Sequence, residues 1–528
     1  MDSKEKKQFF LSNLFQHLDG IVLIPTILEL QKNKILEEIY IKKECSLSYL
    51  SAKYNANAGY LNVALRLLCS QGLLIQKKIQ NDTIFINNKL EKWLEKDIIS
   101  KYQIVAPLYL EDIQYQQIIQ KTTTENSTLL IIIQNYINQN LNKEISPSKD
   151  EQLSFNWETH LEGAIIGPII VTLATSNCFK DLELNQELNL NINQTWQTII
   201  TKLFIKSNIL DNNKLLSEYG YFLLKRATSY GVTVSYLPTF RNIEKLLYTN
   251  WEDIWKNQKD EEVHVDRSMN VWGSGGAHHT YFKKVDKIII DLFNLPLEKQ
   301  PKGFIDIGCG NGKLIEHIFD LIYYKTLRGK HLESHPLFIV GSDFNYKALE
   351  ATDQTISKAD IWAKTAFGDI SDPDDLSKRL MQEHKINLSD LLNVRSFLDH
   401  NRIYTTPIHK RKLDSTSTGA FCYQGKKLNN HDVEQNLIEH FQKWAPYLKK
   451  YGLLIVELHT IDPLIASENI GKNAITAYDA SHGFSDQYIL EYDIFLKAAL
   501  KADLKPDPEH EYTFPNKEVP IVSINRLV

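Results

Sequence analysis

The sequence predicts an α/β protein in which a doubly wound, Rossmann-like domain is preceded by mainly α, winged-helix-like modules. Three observations predict it. From Lys302 onward, short apolar strands alternate with helices; a Gly-rich turn follows the first of those strands; and the first half of the chain repeats an amphipathic helix.

The strand candidates are GFIDIG, PLFIVGSD, WAKTAFGD, SDLLNVRSFL, GLLIVELH and VPIVSINRLV. Strand–helix alternation of this kind favours a parallel sheet covered by helices on both faces. A polar segment at 409–430 interrupts it. In the first half, HLDGIVLIPTILEL (17–30) and HLEGAIIGPIIVTL (160–173) share six of fourteen positions, with Asp19 matched by Glu162. Further on, YLNVALRLLCSQGLL (60–74) is echoed by TWQTIITKLFIKSNIL (195–210). Gly72 then corresponds to Asn208, and both residue types tolerate a left-handed helix cap. With a β-like segment such as TIFIN (83–87), each copy reads as a winged helix. The expected domains are 1–145 and 146–245 for the two modules and 246–528 for the sheet domain with a helical lead-in.

Winged helices often bind DNA, so the charge on their faces matters. Tyr60 to Ser70 offers only Arg66, and Gln194 to Ser207 only Lys202 and Lys206. That is too little for a phosphate-tracking face, so packing or dimerisation is the expected role. Two copies in one chain could cover each other, and dimerisation is then not obligatory. His17 and His160 are expected to pack or cap.

The 528 residues carry 60 Lys+Arg against 65 Asp+Glu, a formal net charge of -5, which also argues against nonspecific nucleic-acid binding. No uninterrupted apolar run approaches the ~18 residues of a membrane span. The start, MDSKEKKQFF, lacks an apolar core or cleavage site, and the five cysteines form no paired framework. A cytoplasmic location is expected. Glycine is scarce, 22 residues, yet seven fall between Gly273 and Gly312.

Four of those seven belong to FIDIGCGNGKL and its lead-in, Gly303, Gly308, Gly310 and Gly312. An apolar strand carries Asp306, and the glycines then let the backbone approach a ligand closely. Asp343, in FIVGSDFN, lies 33 residues after Gly310; an acid so placed binds ribose hydroxyls in nucleotide-binding α/β folds. Asp369, followed by Ile370, ends the next strand candidate. A dinucleotide fingerprint would need wider glycine spacing. This set resembles class I S-adenosylmethionine-dependent methyltransferases. The resemblance implies that Gly308, Gly310 and Gly312 line the methionine part, with Asp306 and Asn311 close by. Asp343, with Phe344 after it, would take the ribose, and Asp369 with Ile370 the adenine. Gly273, Gly275 and Gly276 are expected to form a loop over the methyl donor, with His278 and His279 in that lid.

Polar residues gather at the carboxyl ends of later strands, where ligands bind in doubly wound sheets. Asp399 and His400 follow the fourth strand, His459 the fifth, and His482 and Gln487 the loop after it. His, Asp and Gln from separate loops could bind Fe(II) or Mn(II). The alternative is a His general base held by an acid, with no metal.

VRSFLDHNR, the STGAF insertion, NLIEHFQKWAPYLKKYGLLIVELHT and SHGFSDQY together resemble the C-methyltransferase domains of polyketide synthase loading modules, including the mononuclear-metal apratoxin-type family. The resemblance covers roughly residues 245–528. It implies an acyl thioester on an acyl carrier protein as substrate, a divalent metal (Fe or Mn) beside the methyl donor, and His459 and Gln487 as ligands. Asp399 or His400 would be a nearby ligand or base, with His459 also in a catalytic role. A divalent metal would stabilise the enolate as a Lewis acid. With no carrier or ketosynthase domain after residue 528, action in trans is expected. The rival reading is a metal-independent small-molecule O-methyltransferase with His400 as base.

Overall fold

The structure, a computed structural model, describes residues 3–79, 82–120, 127–139, 157–249, 252–255, 262–409 and 415–528. The chain forms two compact units. The first comprises 1–277, 422–427 and 462–485; the second comprises 278–421, 428–461 and 486–528.

The first unit is built on two long helices, Ser3–Lys32 and Trp157–Thr175, which carry the two copies of the repeat. They cross where neither can bear a side chain. A Cβ on Gly20 would lie 2.4 Å from the His160 Cα, and one on Gly163 would lie 2.3 Å from the His17 Cα. The repeat is therefore the signature of a reciprocal crossing. His17 Nδ1 is hydrogen-bonded to Tyr230 Oη at 2.6 Å, and His160 Nδ1 to Tyr102 Oη at 2.8 Å. Each histidine is thus held by a tyrosine that follows the other copy. Asp19 Oδ2 accepts from Gln71 Nε2 at 3.1 Å, and Glu162 Oε2 from Tyr136 Oη at 3.2 Å. Ser3–Lys32 is also the one described helix long and apolar enough to cross a bilayer, but 83% of its apolar window is buried inside the protein.

The first module carries a three-stranded sheet of β1 (Glu44–Ser46), β2 (Leu74–Ile79) and β3 (Asp82–Asn87), in the order β1-β3-β2. Its helix Ala58–Ser70 ends at Gly72, with φ 69°, and the equivalent helix Gln194–Lys206 ends at Asn208, with φ 56°. The left-handed cap expected at both places is present. The second module keeps its helix but reduces its wing to isolated bridges, Glu187 with Leu215 and Leu210 with Leu216.

The second unit holds a seven-stranded sheet. In chain order its strands are β4 (Gly303–Ile307), β5 (Phe338–Asp343), β6 (Lys364–Phe367) and β7 (Leu391–Ser396). After a short hairpin of β8 (Cys422–Tyr423) and β9 (Lys426–Lys427) in the first unit come β10 (Leu453–Leu458), β11 (Pro506–Pro515) and β12 (Pro520–Leu527). The order is β11-β12-β10-β7-β4-β5-β6, parallel from β10 to β6, with β12 antiparallel to both β10 and β11. All six expected strands are there. β11 is additional: Pro506, Pro508 and Pro515 break any strand pattern in the sequence, and prolines of this kind are tolerated at a sheet edge.

One expectation is corrected. The Gly273–Gly276 segment is not a loop; it lies in helix Arg267–Phe293. Glycine serves close packing there, since a Cβ on Gly231 would sit 2.5 Å from the Gly273 Cα. The side chains of His278 and His279 lie outside the described residues.

Candidate functional site

The chain order β4, β5, β6 outward and β7, β10 to the other side puts a crevice above β4 and β7, the switch point at which such sheets bind ligands. The turn after β4 occupies it. Gly308, Gly310 and Gly312 have φ of 78°, 55° and 75°, the left-handed region open to glycine. A Cβ on Gly310 would meet nothing within 4 Å, so the backbone is open on that side. Gly308 N and Cys309 N donate to Ser342 O at 2.8 and 3.1 Å, tying the turn to β5. Gly312 caps helix Lys313–Lys325, whose amino end points at the turn. Asn311 Oδ1 accepts from Lys313 N at 3.2 Å.

Asp343 ends β5 with one oxygen on each side: Oδ2 accepts from Gly310 N at 3.2 Å and Oδ1 from Asn345 N at 2.9 Å. Phe344 follows with 63% of its surface exposed. Tyr346 stacks on Phe367 at 5.2 Å, a second aromatic face beside the β6 end. Asp369 accepts from Ser371 N at 2.8 Å, and Ile370 O accepts from Trp444 Nε1 at 2.7 Å. An open glycine backbone, two acids and exposed aromatic faces fit a nucleoside-bearing sulfonium donor. The residues expected around such a donor therefore lie along one side of the sheet, at the ends of β4, β5 and β6.

Asp306 is buried in β4, and burial, with Asp343 nearby, pushes its carboxyl up to about 7. A folded-state value above the unfolded ~3.9 means that the folded chain binds the extra proton between about pH 4 and 7. This contribution to stability is present at the acid end and is lost as pH rises through 7. In the donor-free protein, Asp306→Asn is expected to raise the thermal midpoint more at pH 8 than at pH 5; an equal rise at both would contradict the assignment.

On the other side of the turn, Gly308 abuts Leu398: a Cβ there would lie 2.9 Å from Leu398 Cδ2. Two residues on is His400, in the one-turn helix Asp399–Asn401. His400 Nδ1 and Glu457 Oε1 are 2.5 Å apart, and His400 N donates to Glu457 Oε2 at 3.2 Å. Glu457 is buried on β10, where Leu458 N also donates to its Oε1 at 2.7 Å. A carboxylate on Nδ1–H leaves Nε2 as the basic nitrogen of the ring.

Family models match three stretches of the chain. The AprA MT2-like domain matches residues 262–525, the AprA N-terminal domain 10–76 and the AprA winged helix domain 162–250. The chain belongs to the AprA MT2-like family. It is an S-adenosylmethionine-dependent methyltransferase of a polyketide-synthase-associated type. No curated protein matches the sequence. Among solved structures, LepI in complex with S-adenosylmethionine is similar at 12% identity and a TM-score of 0.35, over 69% of this chain and 85% of that one. The methyltransferase domain of the citrinin polyketide synthase is similar at 11% and 0.33, over 68% and 87%. The trans-methyltransferase CalH with bound S-adenosylhomocysteine is similar at 10% and 0.32, over 87% and 93%.

In this AprA MT2-like chain the residues expected as metal ligands stand in different surroundings. His459 has no exposed surface, and its two ring nitrogens are 3.1 Å from Leu490 O and 2.7 Å from Ser523 Oγ. The carbonyl can only accept, so Nδ1 carries the proton and Nε2 accepts from the serine. Tyr492 and Phe495 pack edge-on to the ring, and burial lowers its pKa to about 3. His459 is a core residue between β10, β12 and helix Tyr492–Lys501. Asp399 is engaged through one oxygen: its Oδ1 accepts from Arg395 Nη1 at 2.7 Å and from His440 Nε2 at 2.9 Å. Burial alone would raise its pKa, but those two partners hold it well below the usual carboxylate range. Gln487 is buried next to Tyr488, whose N–H donates to His400 O at 2.8 Å. Among the described residues no three His, Cys, Asp or Glu side chains form a metal-binding group. His482 belongs to the first unit, in helix Ile475–Gly483.

Sequence reading missed Glu457 and the partners of Asp399. The signal was present in LLIVEL, where an acid interrupts a strand whose six positions are all buried. A carboxylate in such a strand requires a partner.

Proposed function

We propose that this chain is a C-methyltransferase acting on a malonyl-type or related acyl thioester carried by an acyl carrier protein, with His400 as general base. The observation that carries the reading is the His400–Glu457 pair beside the Gly308 turn. S-adenosylmethionine, when bound, supplies an electrophilic methyl on sulfonium sulfur. Glu457 holds the Nδ1 proton and orients the ring; His400 Nε2 takes the α-proton of the thioester. The α-carbon so released forms the new bond to the methyl carbon, and the electron pair of the broken C–S bond returns to sulfur. Glu457 stabilises the imidazolium that results, a general-base contribution of about 10²–10⁴-fold. Holding acceptor and donor in one orientation would supply a further large factor.

No step is routed through a metal at His459, Asp399 or Gln487, since both ring nitrogens of His459 are hydrogen-bonded within the protein. The supporting experiment is mass spectrometry of malonyl-, methylmalonyl- and acetyl-loaded carrier proteins incubated with enzyme and S-adenosylmethionine. A gain of one methyl on the acyl carbon, undiminished after dialysis against a chelator, is expected. Loss of activity on chelation, with recovery on adding Fe(II) or Mn(II), would overturn the metal-free part. Methylation of free phenols or alcohols, with none on carrier-bound thioesters, would replace the reading by an O-methyltransferase using the same base. For the first unit, the reciprocal helix crossing supports a role in which the two modules cover each other within one chain, without an obligatory dimer.

A further inference from the structure

Behind the base lies a buried set of charges that its chemistry does not consume. Asp399, the residue before His400, receives hydrogen bonds from Arg395 on β7 and His440 on helix Asn430–Leu448. Arg395 is completely buried, with its guanidinium 3.9 Å from the centre of the Trp444 ring. At the far end of the same turn, Arg402 donates from Nη1 to Asp399 O at 2.9 Å, from Nε to Asn436 Oδ1 at 2.7 Å and from Nη2 to Val433 O at 3.3 Å. The four-residue turn is therefore gripped by β7, β10, helix Asn430–Leu448 and the Tyr488 backbone.

The charges balance. Two guanidinium groups face the carboxylates of Asp399 and Glu457, and both arginines lie close enough to Glu457 to interact with it. Burial keeps the His440 pKa below its ordinary value, so it serves as a neutral N–H donor. Buried ion pairs are a poor source of stability compared with apolar packing of the same volume. This one also leaves Arg395 Nε and Nη2 and Asp399 Oδ2 without a hydrogen-bond partner among the described residues. Such an arrangement is better suited to fixing geometry. A base must be held within about 0.5 Å of its productive position, and Asp399 is covalently next to it.

We propose that Arg395 and His440 are positioning residues: acting through Asp399, they hold the Asp399–Asn401 turn so that His400 keeps Nδ1–H on Glu457 and Nε2 towards the acceptor. The inference rests on His400 being the base, and its test has a readout that does not. With ¹⁵N-labelled histidine, the His400 ring signals are identified by their loss in His400→Gln, and their shifts report the tautomer. His440→Phe leaves the Arg395–Asp399 pair intact, and His440→Gln restores an N–H donor. The tautomer in wild type is expected to be single. His440→Phe is expected to show mixed tautomers and at least a tenfold lower kcat on malonyl-loaded carrier protein, with KM and S-adenosylmethionine affinity within about twofold. His440→Gln is expected to recover kcat to within threefold. The double variant Arg395→Met/Asp399→Leu removes both buried charges together and is expected to mix the tautomers and lower kcat equally, which keeps the test available should His440→Phe unfold. A single tautomer with unchanged kcat in these variants would overturn the proposal. Mixed tautomers in an enzyme inactive on every carrier would leave it standing while removing the function on which it was framed.

Discussion

His400→Gln is expected to lower kcat about 10³-fold, with S-adenosylmethionine affinity within twofold of wild type. The size follows from the general-base range of about 10²–10⁴. The selectivity follows from placement, since His400 stands after β7 whereas the residues proposed to hold the donor lie at the ends of β4, β5 and β6. Gln retains the side chain's hydrogen-bonding reach but cannot accept a proton at neutral pH. Glu457→Gln is expected to cost less, about 10²-fold, because an amide oxygen still accepts from Nδ1–H but no longer stabilises an imidazolium. Isothermal titration with S-adenosylmethionine, alongside steady-state kinetics, checks both. A parallel loss of donor affinity would mean that the pair supports the turn and not the reaction.

Gly163→Ala is expected to destabilise the first unit by about 2 kcal/mol, the middle of the range for overpacked cores. In an ordinary helix the same change would stabilise by up to about 1 kcal/mol, so the sign is diagnostic. The new methyl would meet the His17 Cα and O at 2.3 and 2.5 Å, which are backbone atoms that no rotamer change can move aside. Gly20→Ala, against the His160 backbone, should behave alike, and the double variant should lose less than the sum because both act on one crossing. Gly275→Ala is the control. Its Cβ would meet nothing within 4 Å in helix Arg267–Phe293, so it should leave stability unchanged or improve it. Chemical denaturation of the four variants decides the matter; equal effects at Gly163 and Gly275 would deny the reciprocal crossing.

What the sequence could reveal depended on how local the determinant was. The donor turn was legible because three glycines with positive φ follow one apolar strand, and Asp343 because strand spacing fixes where the next acid falls. The repeat was legible as a pattern, though its meaning was not: two glycines 143 residues apart meet each other's histidine backbone, and no local rule couples them. The same blindness turned Gly273 into a loop residue, since close helix packing and a flexible turn both select glycine. At the second half of the site the determinants are long-range. His400 meets Glu457 across 57 residues, and Asp399 meets His440 across 41. Residue types at strand ends picked out several histidines, but how each is partnered was decided by packing. His459, two residues from Glu457 on the same strand end, turned instead into a fully buried position against Ser523.

The most direct test of the account is α-proton exchange. Acyl-loaded carrier protein is incubated in D₂O with enzyme and S-adenosylhomocysteine, so that proton removal proceeds without methyl transfer, and the acyl group is weighed by mass spectrometry. Deuterium incorporation at the α-carbon with wild-type enzyme, lost in His400→Gln and retained after chelation, is the result expected. Exchange that survives His400→Gln, or that disappears on chelation alone, would contradict the assignment of His400 as the base.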